Sequence, residues 1–213
     1  MATIVPAILE TTKDGFNDQL SRIVKLPGVE RVQVDFGDGQ FVESRTLGVT
    51  DMDVLTPTIH FEAHLMAEAP MDFLDYQICG FKTIIVHYEA YATETDLLKA
   101  LKTIKEQGLE AGLALKPETN VQVLQKFAND VKTFLILSVH PGFQGAEFLP
   151  QTYERIAQLR KLCPNAIIEA DGGLNEINIK QTVGAGADLL VVGSALVKSA
   201  NINDSFQKLQ ELV

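Results

Sequence analysis

The chain has 213 residues, of which 46% are hydrophobic and 22% are charged, and its formal net charge at pH 7 is −10. This composition is typical of a globular protein and excludes a disordered or collagenous chain, and the acidic balance argues against a nucleic-acid partner because phosphates attract basic surfaces. No apolar run reaches the ~18 residues that cross a bilayer and no basic region precedes the first apolar stretch, so we expect a cytoplasmic protein without membrane contact.

Short β-branched apolar runs alternate with longer segments of helical periodicity, and this rhythm predicts βα units around a parallel sheet. Eight strands are predicted, in chain order over residues 3–8, 30–35, 59–64, 83–87, 111–115, 133–138, 166–170 and 188–192. Helical spacing is clearest over residues 14–25, 95–107, 151–162 and 203–212, and weaker over residues 50–55, 70–79, 120–128 and 175–183. Three polar residues are predicted to cap helix N-termini: Asp14, Thr95 and Asn203.

Eight βα units predict a (β/α)₈ barrel, the TIM-barrel fold, because about 27 residues per unit match the compact end of its size range. We therefore expect a single domain over residues 1–213. An open, doubly wound sheet is the alternative, but it usually has about five or six strands and a glycine-rich first turn. The first turn here, residues 9–15 (LETTKDG), lacks that GxGxxG pattern.

Polar residues collect at the predicted strand ends, where barrels of this kind carry their active sites. Gln33 and Asp35 share one face of the second strand, and Asp171 follows the seventh. We expect Asp35 and Asp171 to face each other across the barrel mouth, which suits proton removal from a carbon and proton return on its opposite face. That chemistry is an epimerisation or an isomerisation. The pattern is equally compatible with aspartates that only cap strand ends or helix starts.

His64 ends the third predicted strand, next to Asp35 on the second. A histidine with two carboxylates can hold a divalent cation that polarises a carbonyl group. A lone histidine at a strand end is more often hydrogen-bonded scaffolding, so the pattern alone leaves a metal site open. Cys79 and Cys163 are isolated from each other and predict neither a disulfide nor a thiolate metal site.

Glycine-containing loops follow the last three predicted strands, over residues 140–145 (HPGFQG), 171–173 (DGG) and 193–195 (GSA). Barrels commonly bind phosphate in this region through backbone N–H groups and helix N-termini, and such a site needs no lysine. The glycines also permit tight βα turns, but their occurrence after three consecutive strands favours a phosphate site. We therefore expect a phosphorylated small-molecule substrate.

Six segments resemble, in order along the chain, those of the ribulose-phosphate 3-epimerase family. They are residues 6–9 (PAIL), 32–42 (VQVDFGDGQFV), 63–66 (AHLM), 86–89 (VHYE), 138–145 (SVHPGFQG) and 169–173 (EADGG), similar to the family's PSIL, HVDVMDGHFV, VHLM, VHAE, SVNPGFGG and EVDGG. The resemblance implies a ribulose-phosphate-binding barrel and an enzyme of pentose phosphate metabolism that inverts C3 of a ketose phosphate through an enediolate. It also implies a homo-oligomer.

The same resemblance implies roles for individual residues. Asp35 and Asp171 would form the acid and base pair of the proton transfer. A divalent cation, which could be zinc, manganese, magnesium or iron, would be held by Gln33, Asp35, His64 and Asp171. Contacts with the substrate and its phosphate would come from His64, Gly142, Gly145, Gly172, Gly173, Gly193 and Ser194.

Four departures from the family pattern fall at the predicted site. Gln33 replaces a metal-binding histidine, and its amide oxygen suits magnesium or manganese better than zinc. Ala7 replaces a serine whose hydroxyl is expected to hydrogen-bond the substrate, a loss of about 1 kcal/mol. Gly37 and Leu137 replace methionines, which predicts a wider and wetter pocket.

Two other functions stay open. Gln33 and Gly37 favour a different phosphate-binding barrel enzyme, such as an isomerase, a decarboxylase or an aldolase. Ala7 and Gln33 together also permit a catalytically silent barrel that only binds a sugar phosphate. For the expected homo-oligomer, apolar residues near the barrel mouth are the predicted subunit contacts: Phe41, Val42 and Phe143.

Overall fold

Eight parallel strands close into a barrel in the computed structural model, which describes residues 2–73, 79–141 and 145–213. The strands are β1 (Thr3–Ile8), β2 (Arg31–Gly37), β3 (His60–Met66), β4 (Thr83–His87), β5 (Glu110–Leu115), β6 (Thr133–Leu137), β7 (Ile167–Asp171) and β8 (Leu189–Val192). Every predicted strand is confirmed to within two residues at either end, and the pairing of β1 with β8 closes the ring. The predicted TIM-barrel fold is therefore confirmed.

Helices cover the outside of the barrel. The α-helices of the described ranges are α1 (Lys13–Ile23), α2 (Glu94–Glu106), α3 (Thr152–Leu162), α4 (Ile179–Ala185), α5 (Ser194–Val197) and α6 (Ile202–Gln210). Short 3₁₀ helices occupy Val49–Asp51, Pro70–Phe73, Tyr88–Ala90 and Val121–Phe127. None of the described helices combines the length and the apolar character that a membrane span needs.

The weaker helix predictions differ from the structure in helix type or in helix bounds. The α-helices predicted over residues 50–55 and 120–128 are wrong in type, because 3₁₀ helices lie there. The helix predicted over 175–183 starts later, at Ile179. Of the helix predicted over 70–79, the first four residues form a 3₁₀ helix and residues 74–78 lie outside the described ranges.

The predicted N-caps Asp14, Thr95 and Asn203 are wrong by two residues. The side chains that accept hydrogen bonds from first-turn N–H groups belong to Thr12, Thr93 and Asn201. Each of these residues has the extended backbone that an N-cap requires. Asp14 lies instead inside the first turn of α1, where its negative charge interacts favourably with the helix dipole.

The barrel interior is divided into apolar and polar sectors, because alternate residues of each strand point inward. The apolar sectors come from β8 with β1 and from β4 to β6: Val5, Ala7, Leu189 and Val191, and Ile85, Ala114, Leu135 and Leu137. Between them, β2, β3 and β7 place a column of buried polar side chains: Gln33, Asp35, Glu62, His64, Glu169 and Asp171. The candidate site forms the upper part of this column.

The lower part of the polar column is an ion cluster near the closed end of the barrel. Arg31 Nη1 lies 2.5 Å from Glu62 Oε2, and the side chains of Glu62 and Glu169 are fully buried. Burial and the negative charge of Glu62 raise the pKa of Glu169 well above its usual range. Burial also raises the pKa of Glu62, and the positive charge of Arg31 opposes that shift, so the Arg31 guanidinium offsets the negative charge buried beneath the site.

Arg155 of α3 links the ends of two strands at the open end of the barrel. It is nearly buried, and its Nη1 donates to the carbonyl oxygen of Leu137 at 3.2 Å. Its Nη2 donates to the carbonyl oxygens of Lys116 at 2.7 Å and Thr119 at 3.1 Å. The guanidinium therefore satisfies three backbone carbonyls at and beyond the ends of β5 and β6.

Replacing Arg155 is expected to destabilise the fold. In an Arg155→Met variant the three carbonyls lose a charged donor, and we expect the free energy of unfolding to fall by about 3 kcal/mol. Urea denaturation followed by far-UV circular dichroism measures the change. Arg22→Met is the control, because Arg22 is half-exposed and lies 3.8 Å from Asp18. Equal shifts in the two variants would contradict a special role for the buried guanidinium.

Candidate active site

Two aspartates and a histidine meet at the open end of the polar column. His64 Nδ1 lies 2.9 Å from Asp35 Oδ1 and 3.2 Å from Asp171 Oδ2. Strands β2 and β3 bring the first pair together because Asp35 and His64 are register partners, and β7 supplies Asp171 from across the ring. The two carboxylates come close enough to contact the same imidazole nitrogen.

Gln33 completes the cluster from beneath. Its side chain is fully buried, and Nε2 donates to Asp35 Oδ1 at 2.7 Å and to Asp171 Oδ2 at 2.9 Å. Its Oε1 is buried and has no hydrogen-bond partner among the described residues. One amide group therefore holds both carboxylates, while its acceptor is left unpaired.

The electrostatics of the cluster depend on His64. Burial by itself lowers the pKa of His64, but hydrogen bonds with Asp171 and Asp35 outweigh burial and raise that pKa to about 9. Burial and the negative charge of Asp171 raise the pKa of Asp35 above its usual range. The cluster thus brings a cationic imidazole between two acidic groups and favours a protonated form of Asp35.

A second histidine fixes the ring of the first. His87 Nε2 lies 2.9 Å from His64 Nε2, and His87 Nδ1 lies 3.4 Å from Glu89 Oε2. Glu89 in turn accepts hydrogen bonds from the Lys116 N–H and the Thr119 hydroxyl. Burial lowers the pKa of His87 to about 4, so this ring is neutral and can accept a hydrogen bond from a proton-bearing Nε2 of His64. The orientation of His64 is therefore set by contacts on both ring nitrogens.

A cavity opens above the two aspartates, with about 700 Å³ of empty space that includes part of the open mouth. Its lining includes five of the residues predicted to contact the substrate and its phosphate: Gly145, Gly172, Gly173, Gly193 and Ser194. Gly142, predicted for the same role, lies outside the described residues. His64 is fully buried and is not among the lining residues, so it reaches the cavity only through the carboxylates.

Two glycines give the loop after β7 its backbone conformation. Gly172 has φ +110°, and a Cβ there would lie 2.4 Å from Val139 Cγ2. Gly173 has φ +64°, and a Cβ there would lie 2.8 Å from the Phe148 backbone nitrogen. Both positions therefore require glycine, and the loop passes closer to its neighbours than any other residue would allow.

The donor atoms of the cluster are suited to a divalent cation. The ligand atoms of Asp35, His64 and Asp171 all lie within 4.8 Å of one another. Once His64 has lost its Nδ1 proton, one imidazole nitrogen and two carboxylate oxygens form a donor set that divalent transition metals accept. A half-turn of the Gln33 amide would exchange its Nε2 with the unpaired Oε1 and offer a fourth ligand atom, the third oxygen of the set. These residues fit a cation.

Sequence comparison decides the family to which this site belongs. The sequence model of the ribulose-phosphate 3 epimerase family matches residues 3–197. The chain belongs to the ribulose-phosphate 3-epimerase family. Curated relatives named ribulose-phosphate 3-epimerase include one from Candida glabrata, which is 31% identical over 99% of this chain and 92% of the relative. Another, from Aquifex aeolicus, is 30% identical over 100% of this chain and 97% of the relative.

Solved structures share the fold at low sequence identity. A 3-hexulose-6-phosphate synthase from Salmonella typhimurium superposes with a TM-score of 0.71 at 14% identity, over 98% of this chain and 97% of that chain. A KGPDC from Streptococcus mutans gives a TM-score of 0.68 at 11% identity, over 100% of this chain and 97% of that chain. At these identities the likeness shows the barrel alone.

Gly37 departs from the ribulose-phosphate 3-epimerase pattern, and the structure corrects what we expected from it. A Cβ at Gly37 would lie 2.5 Å from the Ser44 carbonyl oxygen and 3.0 Å from Val42 Cγ2. The loop after β2 folds back and fills the space that a longer side chain would take. The expectation of a wider, wetter pocket at this position is therefore wrong.

The same loop changes the assignment of the predicted subunit contacts. Val42 is buried, so its prediction as an exposed contact is wrong. The Phe41 ring packs 4.9 Å from the His87 ring, and Lys116 Nζ lies 3.6 Å from the Phe41 centroid. Phe143 lies outside the described residues. Phe41 is therefore engaged within its own chain.

Sequence reasoning missed three features of this family member's site. It assigned no role to His87 and Glu89, although the VHYE segment was recognised. It did not single out Ser44, which lines the cavity. No sequence pattern predicts that the Gln33 amide donates to the carboxylates, because only the folded barrel brings Asp171 within reach of β2.

Proposed function

We propose that this protein is a ketose-phosphate 3-epimerase that interconverts ribulose 5-phosphate and xylulose 5-phosphate. The observation that carries the proposal is the meeting of Asp35 and Asp171, from strands on opposite sides of the ring, at the base of one cavity. Relatives about 30% identical that bear the name ribulose-phosphate 3-epimerase support the same reaction.

The two aspartates act on opposite faces of C3. One carboxylate removes the C3 proton, and the electron pair of that bond moves toward the C2 carbonyl to give an enediolate. The other carboxyl group, which carries a proton, delivers it to the opposite face of C3. Burial and the charge of Asp171 raise the pKa of Asp35, which supports a pair that holds one proton between two groups.

His64 and Gln33 position the aspartates. The imidazole contacts one oxygen of each carboxylate, and the amide nitrogen donates to the same two oxygens. The other oxygen of each carboxylate is then available to the substrate. Removal of either positioning residue would let the two carboxyl groups shift, since each would lose a hydrogen bond that fixes one of its oxygens.

Asp35, His64 and Asp171 would hold a divalent cation, such as manganese, magnesium, zinc or iron, with Gln33 as a further oxygen donor. When bound, the cation supplies positive charge that stabilises negative charge developing on the substrate oxygens. The loops that carry Gly145, Gly173 and Ser194 would bind the phosphate at the other side of the cavity.

Deuterium exchange at C3 tests the proposal directly. The protein is incubated with ribulose 5-phosphate in heavy water, first with a chelator and then with added magnesium, manganese or zinc. We expect deuterium at C3 and formation of xylulose 5-phosphate, with the rate raised by at least one of the metals. Exchange that is equally fast with the chelator would overturn the metal assignment alone. No exchange under any condition would overturn the epimerase.

A further inference from the structure

Hydrogen bonds hold the loop between β2 and the following 3₁₀ helix against the strand end. The Gly37 N–H donates to Thr46 Oγ1 at 3.1 Å, and the Thr46 N–H donates to the Gly37 carbonyl at 3.0 Å. Asp38 Oδ1 accepts the N–H groups of Gln40 and Phe41, each at 2.8 Å. These bonds close the loop at its base and order its first turn, so Ser44 lies at a defined position above β2.

Ser44 occupies space that only Gly37 leaves free. A Cβ at Gly37 would come within 2.5 Å of the Ser44 carbonyl oxygen and 3.2 Å of Ser44 Oγ. Real Cβ atoms do not approach backbone oxygens this closely. A glycine at position 37 is therefore required for Ser44 to reach the cavity wall.

The Ser44 hydroxyl is buried in the wall of the reaction cavity, and among the described residues it has no hydrogen-bond partner. Asp35 and Asp171 line the same cavity. A buried hydroxyl without a partner is unfavourable, and a ligand oxygen can relieve this. Rotation about the single χ1 torsion of a serine redirects its hydroxyl between staggered positions.

Ser44 and Ser194 lie after different strands of the barrel. Among the described lining residues, the side-chain hydroxyls belong to Ser44 and Ser194. Ser194 Oγ lies 4.0 Å from the Cβ position of Gly145, at the side assigned to the phosphate. Ser44 follows β2, which is three strands from β7 in the closed ring. A ketose 5-phosphate with C3 between the aspartates and its phosphate beside Ser194 would have its C1 end on the side of the cavity away from β7 and β8, where Ser44 is the lining hydroxyl.

We propose that the Ser44 hydroxyl hydrogen-bonds the C1 hydroxyl of the ketose phosphate and so selects substrates with an oxygen at C1. This inference rests on the proposed epimerase function and adds a specificity-determining residue to it. Ala7, which lines the cavity from β1, offers only a methyl group to the substrate. Ser44 is therefore the described hydroxyl available on this side of the cavity.

Substrate and variant are changed together to test the contact. C3 deuterium exchange is measured for the wild-type protein and Ser44→Ala with xylulose 5-phosphate and with 1-deoxyxylulose 5-phosphate, which lacks the C1 hydroxyl. We expect Ser44→Ala to lower kcat/KM for xylulose 5-phosphate about five- to ten-fold, the effect of one lost hydrogen bond. The same variant is expected to leave kcat/KM for the 1-deoxy compound unchanged.

The controls separate this inference from the proposed function. Ser21→Ala, at an exposed serine of α1, is expected to match the wild-type protein on both compounds. Equal losses on the two compounds in Ser44→Ala, or no loss on either, would overturn the Ser44 contact while the epimerase stands. No exchange by the wild-type protein with either compound would overturn the epimerase and the contact with it.

Discussion

Asp35→Asn and Asp171→Asn are each expected to abolish the interconversion of ribulose 5-phosphate and xylulose 5-phosphate. An amide can neither remove the C3 proton nor return one, and general acid or base catalysis by a positioned carboxyl contributes up to about 10⁴-fold. We expect kcat to fall by about 10³-fold or more in each variant. The fold is expected to survive, because asparagine keeps the shape of aspartate and carries no charge into a buried position.

The two variants should differ in the isotope exchange that remains. Each keeps one carboxylate, which can remove and return a proton on its own face of C3. We therefore expect Asp35→Asn to exchange the C3 hydrogen of one epimer and Asp171→Asn that of the other, without inversion in either case. Nuclear magnetic resonance of each epimer in heavy water measures both signals.

Asp53→Asn serves as the matched control for the charge change. Asp53 is exposed, pairs with Lys13 at 2.8 Å and does not line the cavity. It is expected to retain wild-type turnover. Normal turnover in either Asp35→Asn or Asp171→Asn would overturn the two-carboxylate mechanism, whatever reaction the protein performs. Thermal unfolding of all three variants shows whether a loss of turnover comes from a loss of fold.

Most of the strands were predictable because buried parallel strands are short, continuous apolar runs, and β2, β3 and β7 keep enough apolar residues around their buried polar side chains to be recognised. The 3₁₀ helix Val121–Phe127 was not, although its sequence carries the signal. Its buried residues are Val121, Leu124 and Phe127, at a spacing of three. That spacing matches three residues per turn, whereas an α-helix would drift off this face. We interpreted an apolar period of three residues as the period of about 3.6 residues that predicts an α-helix.

The candidate site was predictable where it depends on strand register. Asp35 and His64 are register partners on neighbouring strands, so their contact follows once the strands are placed. Contacts that cross the ring or depend on a loop are different, because no sequence period reports them. The Gln33 amide reaches Asp171, 138 residues away, and Ser44 reaches the cavity only because the loop folds back over Gly37.

Gln33→His is expected to tighten binding of a divalent cation by at least about ten-fold, since it adds an imidazole to a site of three ligands. In the wild-type protein Nε2 donates to the two carboxylate oxygens that a cation would need. The amide must therefore turn, and lose two hydrogen bonds, before its oxygen can act as a ligand. A histidine offers a nitrogen lone pair without that competition.

Competition with a chromophoric chelator for manganese and for zinc measures the gain independently of turnover. Zinc is expected to gain more than manganese, because an imidazole nitrogen suits zinc better than an amide oxygen does. Gln158→His, at an exposed position of α3, is the control for simple addition of a histidine and is expected to leave both titrations unchanged. If Gln33→His also leaves both unchanged, then Gln33 does not share a ligand site with Asp35, His64 and Asp171, and its amide serves only to hold the two carboxylates.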